Sequence, residues 1–285
     1  MTSEATKAWA LVTGATGGLG RAFARELAAR GHPMLLVARR REELERLARE
    51  IEPSGGRAEV VVADLVAPDG IHKVAAAAAR VGGIDILINN AGFGTFGPLL
   101  AHSPARDLDE LSLNIGAVVA VTRALLPDMI ERGHGQIVNV ASMLSFMATP
   151  YFAVYGATKA FVLHFTEALD EELRGSGVRA LAVCPGVMNT EFFAVAGSSI
   201  DKQRVPPLQP ETVARAALDA ADASRTVRVV GAFAKLLVFS ERITPRFLMR
   251  RIMGAVFRSA LPPDMRPRMT STRAEVDASR RISDG

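Results

Sequence analysis

Along this chain of 285 residues, short unbroken apolar runs alternate with longer segments whose apolar positions recur every three or four residues. Seven runs read as strands: 8–14 (AWALVTG), 33–38 (PMLLVA), 58–64 (AEVVVAD), 84–90 (IDILINN), 135–142 (GQIVNVAS), 178–185 (VRALAVCP) and 226–231 (TVRVVG). They are continuous and rich in β-branched residues rather than alternating, which suits strands covered on both faces. Segments such as RAFARELAARG and REELERLAREI lie between them with the helical period, the first closed by Gly31 with Pro33 beyond. Ser103 and Pro104 supply an N-cap and a first-turn proline for a long helix running toward Arg132. Repeated strand–helix units predict an α/β fold with a parallel, doubly wound sheet. No linker interrupts residues 1–231, which read as one domain. Residues 232–260 read as an amphipathic helical extension, and 261–285, rich in Pro, Ser and Arg, as a poorly ordered tail.

Composition narrows the class. Hydrophobic residues make up 49% and charged residues 22%, as in ordinary globular proteins. The single cysteine, Cys184, permits no internal disulfide and no cysteine-based zinc site, which points to a reducing compartment. The first residues contain no signal-like apolar run, and no unbroken stretch of about 18 apolar residues follows. The expectation is a cytoplasmic protein, soluble or attached to a membrane surface. The net charge of +4 sits in the tail, since residues 242–285 hold ten arginines against four acids. No base-reading or stacking elements accompany that basic stretch, so nucleic acid is not an expected partner.

Candidate chemistry begins in LVTGATGGLGRAF, which places Gly14, Gly17, Gly18 and Gly20 between the first strand and the first helix. Glycines there let the backbone turn tightly and approach a pyrophosphate at the helix N-terminus, as in a Rossmann-like nucleotide site. A purely structural glycine turn is the alternative; its position, opening the first β-α unit, favours the phosphate. NAD-binding folds usually carry an acid at the end of the second strand, whereas this chain continues VARRREEL. A guanidinium pairs well with a 2′-phosphate, and a cation gains nothing from the dipole at a helix start. The cofactor expected is therefore NADP, with NADPH preferred over NADH, held chiefly by Arg39.

Both tyrosines of the chain fall in TPYFAVYGATKAF, residues 149–161. Tyr155 and Lys159 are four apart, so on a helix their Cβ atoms lie about 6 Å apart. A free phenol has a pKa of about 10. A neighbouring ammonium, and a nicotinamide cation when bound, favour the phenolate and make Tyr155 a plausible acid/base. Tyr151 has no cation at its own +4 position and reads as a packing residue.

With these residues in place, the chain resembles the short-chain dehydrogenase/reductase family over roughly residues 8–195. The carriers are TGATGGLG (13–20), NNAG (89–92), Asn114 in LSLNIGAVV, Ser142 thirteen residues before the tyrosine, YGATK (155–159) and CPGVMNT (184–190). The resemblance implies that Tyr155 exchanges a proton with a carbonyl or alcohol oxygen and that Ser142 hydrogen-bonds the same oxygen. It implies that Lys159 holds the nicotinamide ribose and lowers the phenol pKa, while Asn114 interrupts its helix to hold a relay water. Gly14, Gly18 and Gly20 would surround the pyrophosphate, with Thr16 and Leu19 in the same loop. Asp64 and Leu65 would border the adenine, and Asn90, Ala91 and Gly92 the ribose. Pro185, Met188 and Thr190 belong to the segment expected over the nicotinamide, Thr190 on its carboxamide. No metal is implied, and His134, His164 and Cys184 read as surface or packed residues.

The substrate side is apolar. Phe93, Phe96, Phe146, Phe152, Phe192 and Phe193, with Met143 and Leu144, could enclose a lipophilic ketone, aldehyde or alcohol, and no base lies in those stretches to clamp a carboxylate or phosphate. Residues 194–210 read as a mobile lid. In 234–260 apolar spacing at Phe247, Leu248, Ile252, Val256 and Phe257 combines with arginines. Such a helix fits an anionic membrane surface, a cap on the cleft or a subunit interface in a homo-oligomer, and all three stay open. An NADP-dependent oxidoreductase is the favoured function. The alternatives are a catalytically silent NADP-sensing module, whose usual sign is loss of the tyrosine or lysine, and a nucleotide-sugar epimerase or dehydratase, expected to show different glycine spacing.

Overall fold

The computed structural model describes residues 8–52, 56–190, 192, 196, 207–262 and 265. Phe193, most of the expected lid and nearly all of the expected tail lie outside the described residues. Each predicted run contains a strand: β1 (Ala10–Thr13), β2 (Met34–Ala38), β3 (Ala58–Val62), β4 (Ile86–Asn89), β5 (Gly135–Val140), β6 (Val178–Pro185) and β7 (Val227–Val230). They form one parallel sheet in the order β3-β2-β1-β4-β5-β6-β7. Helices α1 (Gly18–Ala29), α2 (Arg41–Ile51), α3 (Gly70–Arg80), α4 (Pro104–Leu111), α5 (Val118–Arg132), α6 (Ala153–Glu172) and α7 (Pro210–Asp222) supply the crossovers and cover both faces.

Two cores explain why the strands lack polar alternation. On one face Phe23, Leu27, Leu44, Leu47 and Val213 from α1, α2 and α7 pack with Leu36, Ile88 and Leu181. On the other, Val74, Val121, Leu125 and Leu169 from α3, α5 and α6 pack with Leu11, Leu35 and Leu87. Neighbours such as Leu35 and Leu36 thus enter opposite cores, so the central strands are mostly apolar without polar alternation. Strand order reverses between β1 and β4, and a doubly wound sheet opens a ligand crevice beyond the carboxyl ends at such a point.

The helix expected from Ser103 toward Arg132 is continuous, with Ser103 Oγ accepting from Arg106 N as its cap. It widens to π geometry over Ser112–Ala117, around Asn114. At 29 residues it is long and apolar enough to cross a membrane by length and composition, although no unbroken apolar run marks it in the sequence. Its Val121, Leu125 and Met129 are buried in the second core, the placement of a core helix.

The extension departs from a single helix. It forms α8 (Ala232–Ile243) and α9 (Arg246–Ser259), divided at Thr244 and Pro245. Thr244 is extended, and Pro245 has no N–H to continue the ladder, so the chain turns there. Ala234, Val238, Met249, Met253 and Phe257 pack against Phe96, Met143 and Phe152, covering the end of the sheet that carries the candidate site. Of the apolar set marked by the sequence spacing, Phe257 alone faces inward; Phe247, Leu248, Ile252 and Val256 are exposed.

Candidate active site

The glycine loop is built to exclude side chains. Gly14 has φ +63°, and a Cβ on it would lie 2.8 Å from Ala91 Cα; one on Gly20 would lie 2.2 Å from the Gly14 carbonyl oxygen. Only glycine, with no Cβ, meets both demands without displacing backbone. The first turn of α1 has neither a side-chain cap nor an acid, so its N–H groups and dipole face the loop uncompensated. Across the switch point, Asn90 Nδ2 donates to the carbonyls of Thr13 (2.9 Å) and Gly14 (3.1 Å). Thr13 Oγ1 accepts from the N–H groups of Asn90 (2.9 Å) and Ala91 (3.1 Å). The NNAG element, expected to line the ribose, therefore also braces the glycine loop. Thr16 O accepts from Arg21 Nε at 3.0 Å, and Leu19 is buried beneath the loop.

The other expected cofactor residues gather at the same edge. Asp64 and Leu65 follow β3, with Asp64 Oδ1 accepting from Val66 N at 3.2 Å. Pro185 ends β6, and Met188 forms a bridge with Leu208. A Cβ on Gly18 would lie 3.0 Å from Thr190 Cγ2, so the segment after β6 reaches the glycine loop. Arg40 pairs with Glu43 at 2.6 Å and Arg21 with the same carboxylate at 2.8 Å. Arg39 is exposed and, among the described residues, makes no ion pair.

Ser142 leaves β5 and caps the 3₁₀ turn Met143–Phe146, its Oγ accepting from Leu144 N at 3.1 Å. Ser145 Oγ accepts from Ser142 N at 3.1 Å and donates to Lys159 O at 2.8 Å, fixing the serine turn to α6. Tyr155 and Lys159 lie one above the other on α6, Lys159 Nζ 5.8 Å from the phenol ring centre. Asn114 sits in the π segment. Its Nδ2 donates to Phe93 O (2.8 Å) and Thr158 Oγ1 (3.1 Å), and its Oδ1 accepts from Phe93 N (3.1 Å). A Cβ on Gly92 would be 2.8 Å from Asn114 Oδ1 and 3.6 Å from Lys159 Nζ, which shows how closely NNAG, Asn114 and Lys159 meet. The structure thus brings together all four residues expected to act on protons.

Burial dominates their protonation. Burial raises the Tyr155 phenol above its ordinary value, opposed by the nearby Ser142 hydroxyl and reinforced by the charge of Glu110. Burial pushes the Lys159 ammonium down to about 8, with Glu110 and Cys184 opposing. Lys159 Nζ donates to Val140 O at 2.7 Å rather than addressing the phenol. In the protein by itself desolvation is the largest influence on the phenol.

Aromatic rings wall the phenol. Phe152 and Phe192 lie 4.6 and 5.1 Å from the Tyr155 ring. Phe257 joins them from α9, 6.2 Å from Phe152 and 6.0 Å from Phe96. Arg106 stands 5.1 Å over Phe93, a base outside the apolar stretches that sequence spacing did not bring here. Tyr151 lies before α6 rather than on it, with φ +65°, and its hydroxyl accepts from Arg258 Nε at 3.0 Å. It packs as expected and also latches the extension.

His134 and His164 are exposed and pair with Asp85 (3.0 Å) and Glu167 (3.3 Å). Cys184 is buried, and burial pushes its thiol up to about 12. No group of three His, Cys, Asp or Glu that could hold a metal occurs among the described residues. Several positioning residues were given no role by the sequence: Thr13, Ser145, Thr158, and a buried chain in which Asn89 Nδ2 donates to Thr122 Oγ1 and Asn139 Oδ1, and Asn139 Nδ2 to Thr166 Oγ1. The one signal was an asparagine inside an otherwise apolar strand, at 89 and again at 139.

The family described as short chain dehydrogenase matches residues 8–200. The very-long-chain 3-oxoacyl-CoA reductase of Anas platyrhynchos is 36% identical over 218 residues, covering 74% of this chain and 68% of its own. A short-chain dehydrogenase from Sphingobium yanoikuyae, solved in complex with NADPH, superposes with a TM-score of 0.74 at 32% identity over 83% of this chain and 94% of its own. The 3-ketoacyl-(acyl-carrier-protein) reductase of Brucella melitensis, solved with NADH, gives 0.71 at 31% identity over 78% and 95%. Sequence match, sheet order and site geometry agree, and the chain belongs to the short-chain dehydrogenase family of oxidoreductases.

Proposed function

We propose that this chain interconverts a lipophilic ketone or aldehyde and its alcohol by hydride transfer with NADP(H), using Tyr155 as acid/base. The observation that carries the reading is the meeting of Ser142, Tyr155, Lys159 and Asn114 under an aromatic wall, beside a loop that only glycine can form. That loop, with the uncapped start of α1, fits a pyrophosphate. Arg39 fits the 2′-phosphate because Arg21 and Arg40 are already engaged by Glu43. Solved relatives carry NADPH in one case and NADH in another, so the preference rests on Arg39 and on the lack of a carboxylate after β2.

The bound dinucleotide supplies or accepts the hydride. Ser142 Oγ, set by Leu144 N and Ser145, donates to the substrate oxygen and stabilises its developing charge. Tyr155 gives that oxygen a proton during reduction and takes it back during oxidation. Lys159 holds the ribose and favours the phenolate once it turns from Val140 O toward the phenol. Asp64, Leu65, Asn90, Ala91 and Gly92 line the adenosine and ribose sides, and Pro185, Met188 and Thr190 the nicotinamide. The walls of Phe96, Phe152, Phe192 and Phe257 suit an apolar chain or ring system, in keeping with the long acyl substrate named for the Anas relative. Retention of both Tyr155 and Lys159 speaks against a silent NADP-sensing module.

The surroundings extend the proposal. Leu108 on α4 and Phe161 on α6 are exposed and offer apolar faces to a second copy, giving a homo-oligomer. A lone, buried cysteine suits the cytoplasm. The outer face of the extension suits the surface of an anionic membrane. Leu236, Phe239, Ile243 and Phe247 are 58–72% exposed there, among five arginines and Lys235, with Glu241 the one acid of 232–260. A second copy docked through the same face would meet its own positive charge, which favours lipid over self-association. The decisive experiment is turnover of a panel of lipophilic ketones and alcohols with NADPH or NADP, read by nicotinamide absorbance. No turnover with any of them, alongside normal NADPH binding, would return the site to a sensing role.

A further inference from the structure

Four buried side-chain polar atoms have no hydrogen-bond partner among the described residues: Thr95 Oγ1, His102 Nε2 and both carboxyl oxygens of Glu110. An unmade bond of this kind costs about 1–3 kcal/mol, so a protein seldom leaves one without reason. These four lie in one neighbourhood. Thr95 and His102 line a cavity of about 30 Å³ together with Gly97, Asp107 and Tyr151. Roughly 10–15 Å³ suffices for one water, so the cavity has room for one or two. Glu110 stands on α4 one turn after Asp107, fully buried, with the Thr95 hydroxyl close enough to act on its charge yet outside hydrogen-bonding geometry.

A structural acid in this protein looks different. Asp170, nearly as buried, accepts from Arg179 at 2.8 and 2.9 Å, from Thr226 Oγ1 at 2.6 Å and from Ala180 N at 2.9 Å. Glu110 has no such set, and its helix α4 packs against α6, which carries Tyr155 and Lys159. Its charge acts on both Tyr155 and Lys159 from one side. Asn114, four residues further along, has both amide hydrogens and one Oδ1 lone pair engaged by Phe93 and Thr158, and an amide carries no titratable proton. Glu110 is the titratable group next in line.

We propose that Glu110 is the inner end of a proton path to Lys159, joined to solvent through water in the cavity beside Thr95, His102 and Asp107. The inference rests on the reading of Tyr155 as acid/base. During reduction Tyr155 loses one proton to the substrate oxygen as hydride reaches carbon. The phenolate is refilled from the Lys159 side, Lys159 is refilled from Glu110, and Glu110 from solvent, so one proton enters per carbonyl reduced. Oxidation moves one proton outward. Burial lifts the Glu110 carboxyl to about 7, with Thr95 lowering it, Asp107 raising it, and Arg106 and Lys159 lowering it. That value lets the group both give and take a proton near neutrality.

The test uses the full chain with NADPH and a small soluble ketone. The pH profile of kcat/KM in wild type is expected to show an inflection near 7 that disappears in Glu110→Gln and persists in Glu110→Asp. Thr95→Val removes the group that lowers the carboxyl and should move the inflection upward. A merely structural Glu110 would lower stability or overall rate and leave the shape of the profile unchanged; that result overturns the proposal. If Glu110→Gln does not fold, the Thr95→Val shift decides, and an unmoved inflection overturns it. Infrared titration of the NADPH complex needs no turnover: wild type should lose a protonated-carboxyl band as pH rises through neutrality, and its absence overturns the proposal even if the enzyme reading stands. A band that titrates in a chain without reductase activity supports the buried acid while the reading of Tyr155 fails.

Discussion

The loop after β1 and the extension after β7 flank the same site and are held in opposite ways. At the loop, backbone meets backbone: a Cβ on Gly20 would lie 2.2 Å from the Gly14 carbonyl, and Asn90 spans to the carbonyls of Thr13 and Gly14. In the extension, flexible side chains meet flexible side chains: Met249, Met253 and Phe257 fill space beside Phe96 and Phe152, with the Tyr151–Arg258 bond as a polar latch. Backbone constraints admit one residue type and leave an unambiguous letter in the sequence. Apolar packing admits many. The first region is therefore recognisable at a glance, and the second is known only once folded.

The contrast can be broken by substitution. Phe257→Ala should cause the largest loss, about 3–5 kcal/mol for a buried aromatic, read from denaturant unfolding. A loss too small to measure would mean that the extension opens independently of the sheet. Tyr155→Phe keeps the ring and removes the proton, so kcat should fall roughly a hundredfold or more while NADPH titration stays near normal. Near-normal turnover would remove Tyr155 from the chemistry. Arg39→Ala should weaken NADPH by about 1.5–3 kcal/mol and leave NADH binding unchanged, since only the 2′-phosphate differs. Equal weakening of both would transfer the role to another arginine. The smallest effect is expected at the outer face: Phe239→Ser with Ile243→Ser should reduce salt-sensitive sedimentation with anionic vesicles and leave turnover of a soluble ketone intact. Wild-type protein that ignores such vesicles would leave that face to another partner.

Most of the sheet was legible because strands covered on both faces are mostly apolar, and the seven runs all contain strands. Tyr155 and Lys159 were legible because helical period brings them together, whereas Ser142 and Asn114 were legible only through the family resemblance. What escaped has physical reasons. Residues 232–260 carry two apolar stripes, one inward and one outward, and spacing cannot say which meets the core; Pro245 was the overlooked sign that the helix breaks. Phe257 joins the aromatic wall from a distant part of the chain, and Glu110 looks like any acid on a solvated helix until α4 is packed. Sequence places a lysine near the phenol but says nothing of desolvation, the largest influence on that group in the folded chain.

Cys184 has a consequence of its own. It lies near the carboxyl end of β6, fully shielded, its thiol pushed up to about 12, and it is the chain's single cysteine. Only a thiolate that reaches solvent reacts with a disulfide or maleimide reagent. In the folded protein both conditions fail together, so labelling waits for the strand to part from its neighbours. The rate of that one modification is a clock for opening of the sheet beneath the active site, with no engineered label and no second thiol to confuse the reading.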